Sequence, residues 1–154
     1  MIIRRILILL FLLVATNQCG FTPIYSNLSD DLNLKIVSSG GDQTLNNRIN
    51  LILKKYDDLS ASDNEKFLIE YTTTYEKSDI SKDTAGSATN YNLSAIANFK
   101  IFYNNQTKEI KIQEKFNMKN IDDIFERNNY EKKIKHSFAT NISQKLISQL
   151  VTIK

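Results

Sequence analysis

One histidine, one cysteine and three pairs of adjacent acids are the groups in this 154-residue chain that could do proton-transfer or covalent chemistry. His136 stands two residues from both Ile134 and Phe138. At helical spacing it therefore points away from the apolar stripe those two define. The paired acids, Asp30-Asp31, Asp57-Asp58 and Asp122-Asp123, fall in polar stretches and read as turns and solvated ends. General acid–base work requires two groups that converge on one reacting bond, and adjacency along the chain does not supply that. With a single histidine, no His/Cys cluster can form a metal site. No Gly-x-Ser-x-Gly, phosphate-binding loop or Gly-x-Gly-x-x-Gly occurs. The expectation is a protein that is no enzyme and holds no metal.

Cys19 has a more informative setting. Arg4 and Arg5 precede ten apolar residues, Ile6 to Ala15, and Thr16-Asn17-Gln18 lead to the cysteine. A basic start followed by an apolar core of about 7–15 residues has the form of a secretory signal peptide. A spanning helix needs roughly 20 apolar residues, so this segment is short for a lasting span. A lone cysteine at the cleavage position resembles the lipobox of a bacterial lipoprotein, in which that residue becomes the acylated first residue. The division expected is a signal peptide over 1–18, an acylated tether over 19–31 and one domain over 32–154. The other reading is an ordinary signal peptide, or a leader that stays on as a short anchor, with an incidental cysteine.

Removing 18 residues leaves 136, the size of one domain. The charge of +3 includes Arg4 and Arg5, so the remainder carries 18 basic and 17 acidic residues, or +1. That balance argues against nucleic-acid binding driven by bulk charge. A hydrophobic content of 42% suits a packed core, and one proline with four glycines argues against extended disorder. With Cys19 acylated, no thiol remains for a disulfide, and packing alone must hold the domain.

The elements follow from periodicity. Leu32, Leu34 and Ile36 alternate with Asn33, Lys35 and Val37, predicting a strand that ends at the turn cluster Ser38–Gly41. Leu45, Ile49, Ile52 and Tyr56 define one side of a helix, widened by Leu51 and Leu53. Asp42 is placed to cap it, and Lys54 and Lys55 lie near its end. A polar connection covers 57–64. Phe67, Ile69, Tyr71, Thr73 and Tyr75 then share one face of a long strand over 65–77. Residues 78–90 read as a thirteen-residue loop, long for a hairpin. Tyr91 to Tyr103 alternates again, with Tyr91, Leu93, Ala95, Ala97, Phe99, Ile101 and Tyr103 inward. Asn104–Thr107 is a hairpin turn, and Ile110, Ile112, Phe116 and Met118 line the returning strand. Residues 120–127 are transitional. Asn128 and Glu131 have capping-box spacing, and Tyr130, Ile134, Phe138, Ile142, Leu146 and Leu150 mark a closing helix of about 24 residues. The fold class expected is α+β, in the order β-α-β-β-β-α: a four-stranded, mostly antiparallel sheet with two helices on one face. The helical crossover places the first strand parallel to a neighbour.

A resemblance adds a function. Cys19, Gly20, Phe21, Pro23, Ile24 and Tyr25 form a Cys-Gly-Phe-x-Pro-Ile-Tyr run behind the lipobox. This run resembles the LPS-assembly lipoprotein LptE family, whose four-stranded, two-helix arrangement has the same order. The resemblance implies an outer-membrane lipoprotein facing the periplasm, with fatty acids such as palmitate on Cys19 and no other cofactor. It implies two partners, the LptD β-barrel that the protein plugs and the lipopolysaccharide that it helps into the outer leaflet, and no nucleic acid. Phosphate groups of lipopolysaccharide call for cations, and the candidates are Lys77, Lys82, Lys115, Lys119 and Arg127. The alternative is another periplasm-facing envelope lipoprotein that serves as a binding or adaptor subunit.

Overall fold

The computed structural model describes residues 32–57 and 66–153. The leader 1–18, Cys19, the tether 19–31 and most of the polar connection 57–64 lie outside the described residues. The elements are strand β1 (Leu34–Gly41), helix α1 (Gln43–Leu53) with a closing 3₁₀ turn at Lys54–Tyr56, strand β2 (Phe67–Lys82), strand β3 (Ala88–Tyr103), strand β4 (Gln106–Lys119) and helix α2 (Ile124–Ile153). The sheet order is β1-β2-β3-β4, with β1 parallel to β2 and the other pairs antiparallel. The α+β class and the order β-α-β-β-β-α are those the periodicity predicts.

Alternation builds the core. Phe67, Ile69, Tyr71 and Thr73 of β2 are buried, with Leu93, Ala95, Ala97, Phe99 and Ile101 of β3 and Ile110, Ile112 and Met118 of β4. From the helices come Leu45, Ile49 and Leu53 of α1 and Ile134, Phe138, Ile142, Leu146 and Leu150 of α2. The helices pack on each other, α1 leaning on β1 and α2 on β4 and β3, so both lie on one side of the sheet. The opposite face carries Thr72, Thr74, Asn98, Lys100, Lys111, Gln113 and Lys115, all exposed. On that face Ser94 alone is buried, its hydroxyl accepting a hydrogen bond of 3.1 Å from Gln113 Nε2.

Four expectations need correction. Ser38–Gly41 is strand, not turn: a bulge between Ile36 and Ser38 resets the alternation, and pairing with β2 runs on to Gly41 opposite Thr73. The Ser/Gly run is turn-like only locally, and its backbone is satisfied by the parallel neighbour. Gly41, at φ +97°, is where β1 turns into α1. A Cβ there would lie 1.8 Å from the Thr73 carbonyl oxygen, which accepts a hydrogen bond of 3.2 Å from the Asp42 amide. Residues 78–90 are not a long loop, because β2 extends to Lys82 and β3 begins at Ala88. Only 83–87 turn, where Asp83 Oδ1 accepts from the Ala85 and Ser87 amides. Polar residues pair here because both strands prolong an existing ladder, through irregularities at Asp79/Ser81 and Ser81/Lys82.

The third correction is the start of α2. The helix begins at Ile124, and Asp123 Oδ1 accepts from the Glu126 amide at 2.8 Å. Asn128 is thus inside the helix and not its cap. The helix runs 30 residues, since its first turn lacks the apolar repeat that marks the rest. Fourth, the apolar stripes are narrower than the pattern implied. Leu51 is 59% exposed, while Phe116 and Tyr130 are 40% and 41% exposed and meet edge-on at a 6.5 Å centroid distance. The tight turn lies where predicted but is shorter, since Gln106 and Thr107 already pair in β4: Asn104 and Asn105 take φ of 48° and 60°, the positive pair a two-residue hairpin requires.

Candidate functional site

Four of the five cation candidates lie on the strands at one end of the sheet, and the fifth opens α2 at the same end. Lys77 and Lys82 are on the outgoing half of β2, Lys115 and Lys119 close β4, and Arg127 follows in the first turns of α2. Register does not gather them: Lys77 lies opposite Leu93 on the helix side, Lys115 opposite Ser94 on the open face, Lys119 opposite Asn90 and Lys82 opposite Ala88. The cations differ in what they touch. Lys82, Lys115 and Lys119 are exposed, Lys82 with a surface ion pair of 3.3 Å to Asp79. Lys77 and Arg127 are engaged within the fold.

A continuous polar and aromatic chain explains that engagement. Asp42 Oδ1 caps α1 by accepting from the Leu45 amide at 2.9 Å, and its Oδ2 accepts from Lys135 Nζ at 2.8 Å. Lys135 sits 3.8 Å above the centre of the Tyr75 ring. The Tyr75 hydroxyl donates to Glu131 Oε1 at 2.7 Å, and Lys77 donates to Glu131 Oε2 at 2.7 Å. Lys77 lies 4.4 Å from the centre of the Tyr91 ring. Tyr91 donates to Asn120 Oδ1 at 3.4 Å, and Arg127 donates to the same oxygen at 3.1 Å. Helix α1, both middle strands, the exit of β4 and the start of α2 are thus tied through seven side-chain contacts. Position along the chain did not reveal this set, since Asp42 and Lys135 are 93 residues apart. The one available signal was Glu131, a carboxylate on the inward side of a helix.

The electrostatics follow from the contacts. Burial raises the Asp42 carboxyl, but the Lys135 hydrogen bond, the Leu45 amide, the Lys135 charge and the Thr44 amide outweigh it and hold the group below its ordinary 3.8. Burial likewise raises Glu131, and the hydrogen bonds from Lys77 and Tyr75 with the charges of Lys77 and Lys135 bring it below 4.5. Tyr75 is pushed far up by burial and by the Glu131 carboxylate, so it stays a donor. A second seam lies nearer the sheet centre: Thr73 donates to Asn46 Oδ1 at 2.7 Å and Tyr71 to Asn50 Oδ1 at 2.6 Å. Burial pushes Tyr71 up to about 12, against the opposing hydrogen bond with Ser39.

Other sequence candidates disperse. His136 is exposed on α2. Asp57 pairs with the buried Lys66 at 3.1 Å, and Asp123 serves as a helix cap. Among the described residues no group of three or more His, Cys, Asp or Glu could hold a metal, and no helix is long and apolar enough to cross a membrane. The clefts are shallow: one of about 650 Å³ beside the Asn104–Thr107 turn, and one of about 510 Å³ between Ser38 and Lys111 on the open sheet face. Neither gathers an acid–base pair or a nucleophile beside a base.

Fold and surface together define a two-layer α+β domain with an uncovered polar sheet face. No protein-family model and no curated protein sequence matches the chain. Its fold is shared with solved bacterial lipoproteins. The rare lipoprotein B from Shewanella oneidensis superposes with a TM-score of 0.58 at 15% identity, over 77% of this chain and 98% of that one. A lipoprotein B from Nitrosomonas europaea gives 0.55 at 12% identity, over 79% and 85%.

Proposed function

We propose that the protein is an outer-membrane lipoprotein of the LptE kind. Acylated at Cys19, it faces the periplasm, plugs an LptD-type barrel and assists the insertion of lipopolysaccharide into the outer leaflet. The observation that carries this reading is the sharing of the described fold with rare lipoprotein B, covering 98% of that chain. The Cys-Gly-Phe-x-Pro-Ile-Tyr run behind an apolar leader adds the family resemblance. The chemistry of the surface is compatible with it. A sheet face bearing Thr72, Thr74, Asn98 and Gln113 suits the polar interior of a barrel. An acyl tether confines the domain to the membrane that holds its partner and raises the effective concentration. Lys82, Lys115 and Lys119 are the cations exposed for lipopolysaccharide phosphates, whereas Lys77 and Arg127 already serve the fold. On this reading the protein binds and supports, and catalyses nothing.

An affinity pull-down of the tagged full-length protein from outer membranes tests the proposal. The expected result is a stoichiometric large β-barrel that persists in high salt, with the intact mass showing loss of 1–18 and gain of acyl chains. Recovery of the protein alone, or with soluble periplasmic proteins only, overturns the barrel reading and leaves an envelope adaptor. An unprocessed mass overturns acylation at Cys19.

A further inference from the structure

The two parts of α2 are held down by different forces. From Ile134 onward, Ile134, Phe138, Ala139, Ile142, Ser143, Leu146 and Leu150 are buried against the sheet and α1. From 124 to 133 no residue is buried, and Ile124 and Phe125 are 64% and 75% exposed. Three side chains hold this segment to the sheet and the β4 exit: Glu131 on Tyr75 and Lys77, Arg127 on Asn120 and the Ile121 carbonyl, and Tyr130 edge-on to Phe116; Asp123 caps its start. Half-exposed polar contacts are weak and sensitive to salt, whereas apolar burial is neither. Segments with few buried apolar contacts open at free energies well below that of global unfolding.

The residues that the segment grips flank two buried apolar side chains. Leu93 lies opposite Lys77 on one side and Phe116 on the other, and these two residues grip Glu131 and Tyr130. Met118 lies opposite Tyr91, whose hydroxyl shares Asn120 with Arg127. Leu93 is 0% exposed and Met118 1%. We propose that residues 124–133 form a latch, held by polar contacts, that opens as a unit while 134–153 stays packed, and that its opening bares Leu93 and Met118 at this end of the sheet. Helix α2 can serve both purposes because its buried stripe begins only at Ile134. The inference does not depend on the proposed function.

Hydrogen exchange on the full-length chain in detergent micelles, resolved to single amides, tests the latch. Amides of 128–133 are expected to exchange about a hundredfold faster than those of 138–150. Glu131→Gln weakens two charge-assisted bonds, and should speed 128–133 by a further tenfold or so while leaving 138–150 unchanged. Tyr75→Phe, a milder change that leaves Lys77 in place, should act in the same direction and less. Raised salt should speed 128–133 alone. Equal protection along the whole helix overturns the proposal. So does a speeding by Glu131→Gln that spreads evenly over 128–150, which would mark global loosening instead of a local opening.

Discussion

At the scale of single residues, backbone demands that no side chain advertises are met by Gly41 and by the asparagine turn. Gly41 combines a positive φ with a carbonyl oxygen where a Cβ would stand. Gly41→Ala should therefore cost more than the usual glycine substitution, about 2–3 kcal/mol, read as a shift of the denaturant midpoint. At the other end of the sheet, Asn105 holds φ 60° without strain because asparagine tolerates the left-handed region. Asn105→Ala is expected to lose about 1 kcal/mol in the same assay. The first demand was invisible in the sequence, where Gly40-Gly41 reads as a turn. The second was visible because Asn104-Asn105 sits between two alternating runs.

At the scale of elements, the start of α2 separates local signal from actual cap. Asp123, not Asn128, caps the helix, accepting from the Glu126 amide in its first turn. Asp123→Ala should destabilise the protein by about 1 kcal/mol, while Asn128→Ala should be neutral or slightly stabilising, as expected of an exposed interior position. A circular-dichroism melt of both variants distinguishes the two starts, since a cap at Asn128 would reverse their order. The long hairpin between β2 and β3 teaches the same lesson from the other side. Ser78, Asp79, Ser81 and Asn90 have weak strand preference, and pairing overrides it because the ladder from Leu68–Phe102 to Lys77–Leu93 already aligns the two strands. The apolar helix faces were legible where burial is deep, at Ile134 to Leu150, and misread where it is absent, at Leu51 and Tyr130.

At the scale of the whole molecule, the charged chain from Asp42 to Arg127 links the helix layer to the sheet beside their shared apolar core. Its acids make the fold sensitive to acid. Asp42 and Glu131 both have folded pKa values below their ordinary 3.8 and 4.5. The folded state therefore binds fewer protons than the unfolded one in this range. The stability they contribute is present above the ordinary values and is lost as pH falls through the folded ones. Urea midpoints should hold steady down to about pH 5 and then drop, beyond what the other carboxylates cause. Asp42→Asn with Glu131→Gln should lower the midpoint at pH 7 and flatten the acid limb. An acid limb unchanged in the double variant would show that these two groups do not govern it.

Periodicity by itself determined the element order, the two-layer architecture, the helix-facing residues of β2 and β3 and the Asp42 cap. Each of these rests on contacts within a few residues or on an alternation that one buried face enforces. The leader and the Cys19 run likewise speak through composition and spacing alone. Tertiary structure decided the rest. It extended both strands of the long hairpin, brought Asp42 to Lys135 and Glu131 to Tyr75 and Lys77, and tied two of the five basic candidates, Lys77 and Arg127, to contacts between layers. The physical reason is common to all of these. They depend on which side chains meet across the sheet and helix layers, and those meetings are set by strand register and helix packing between residues distant along the chain.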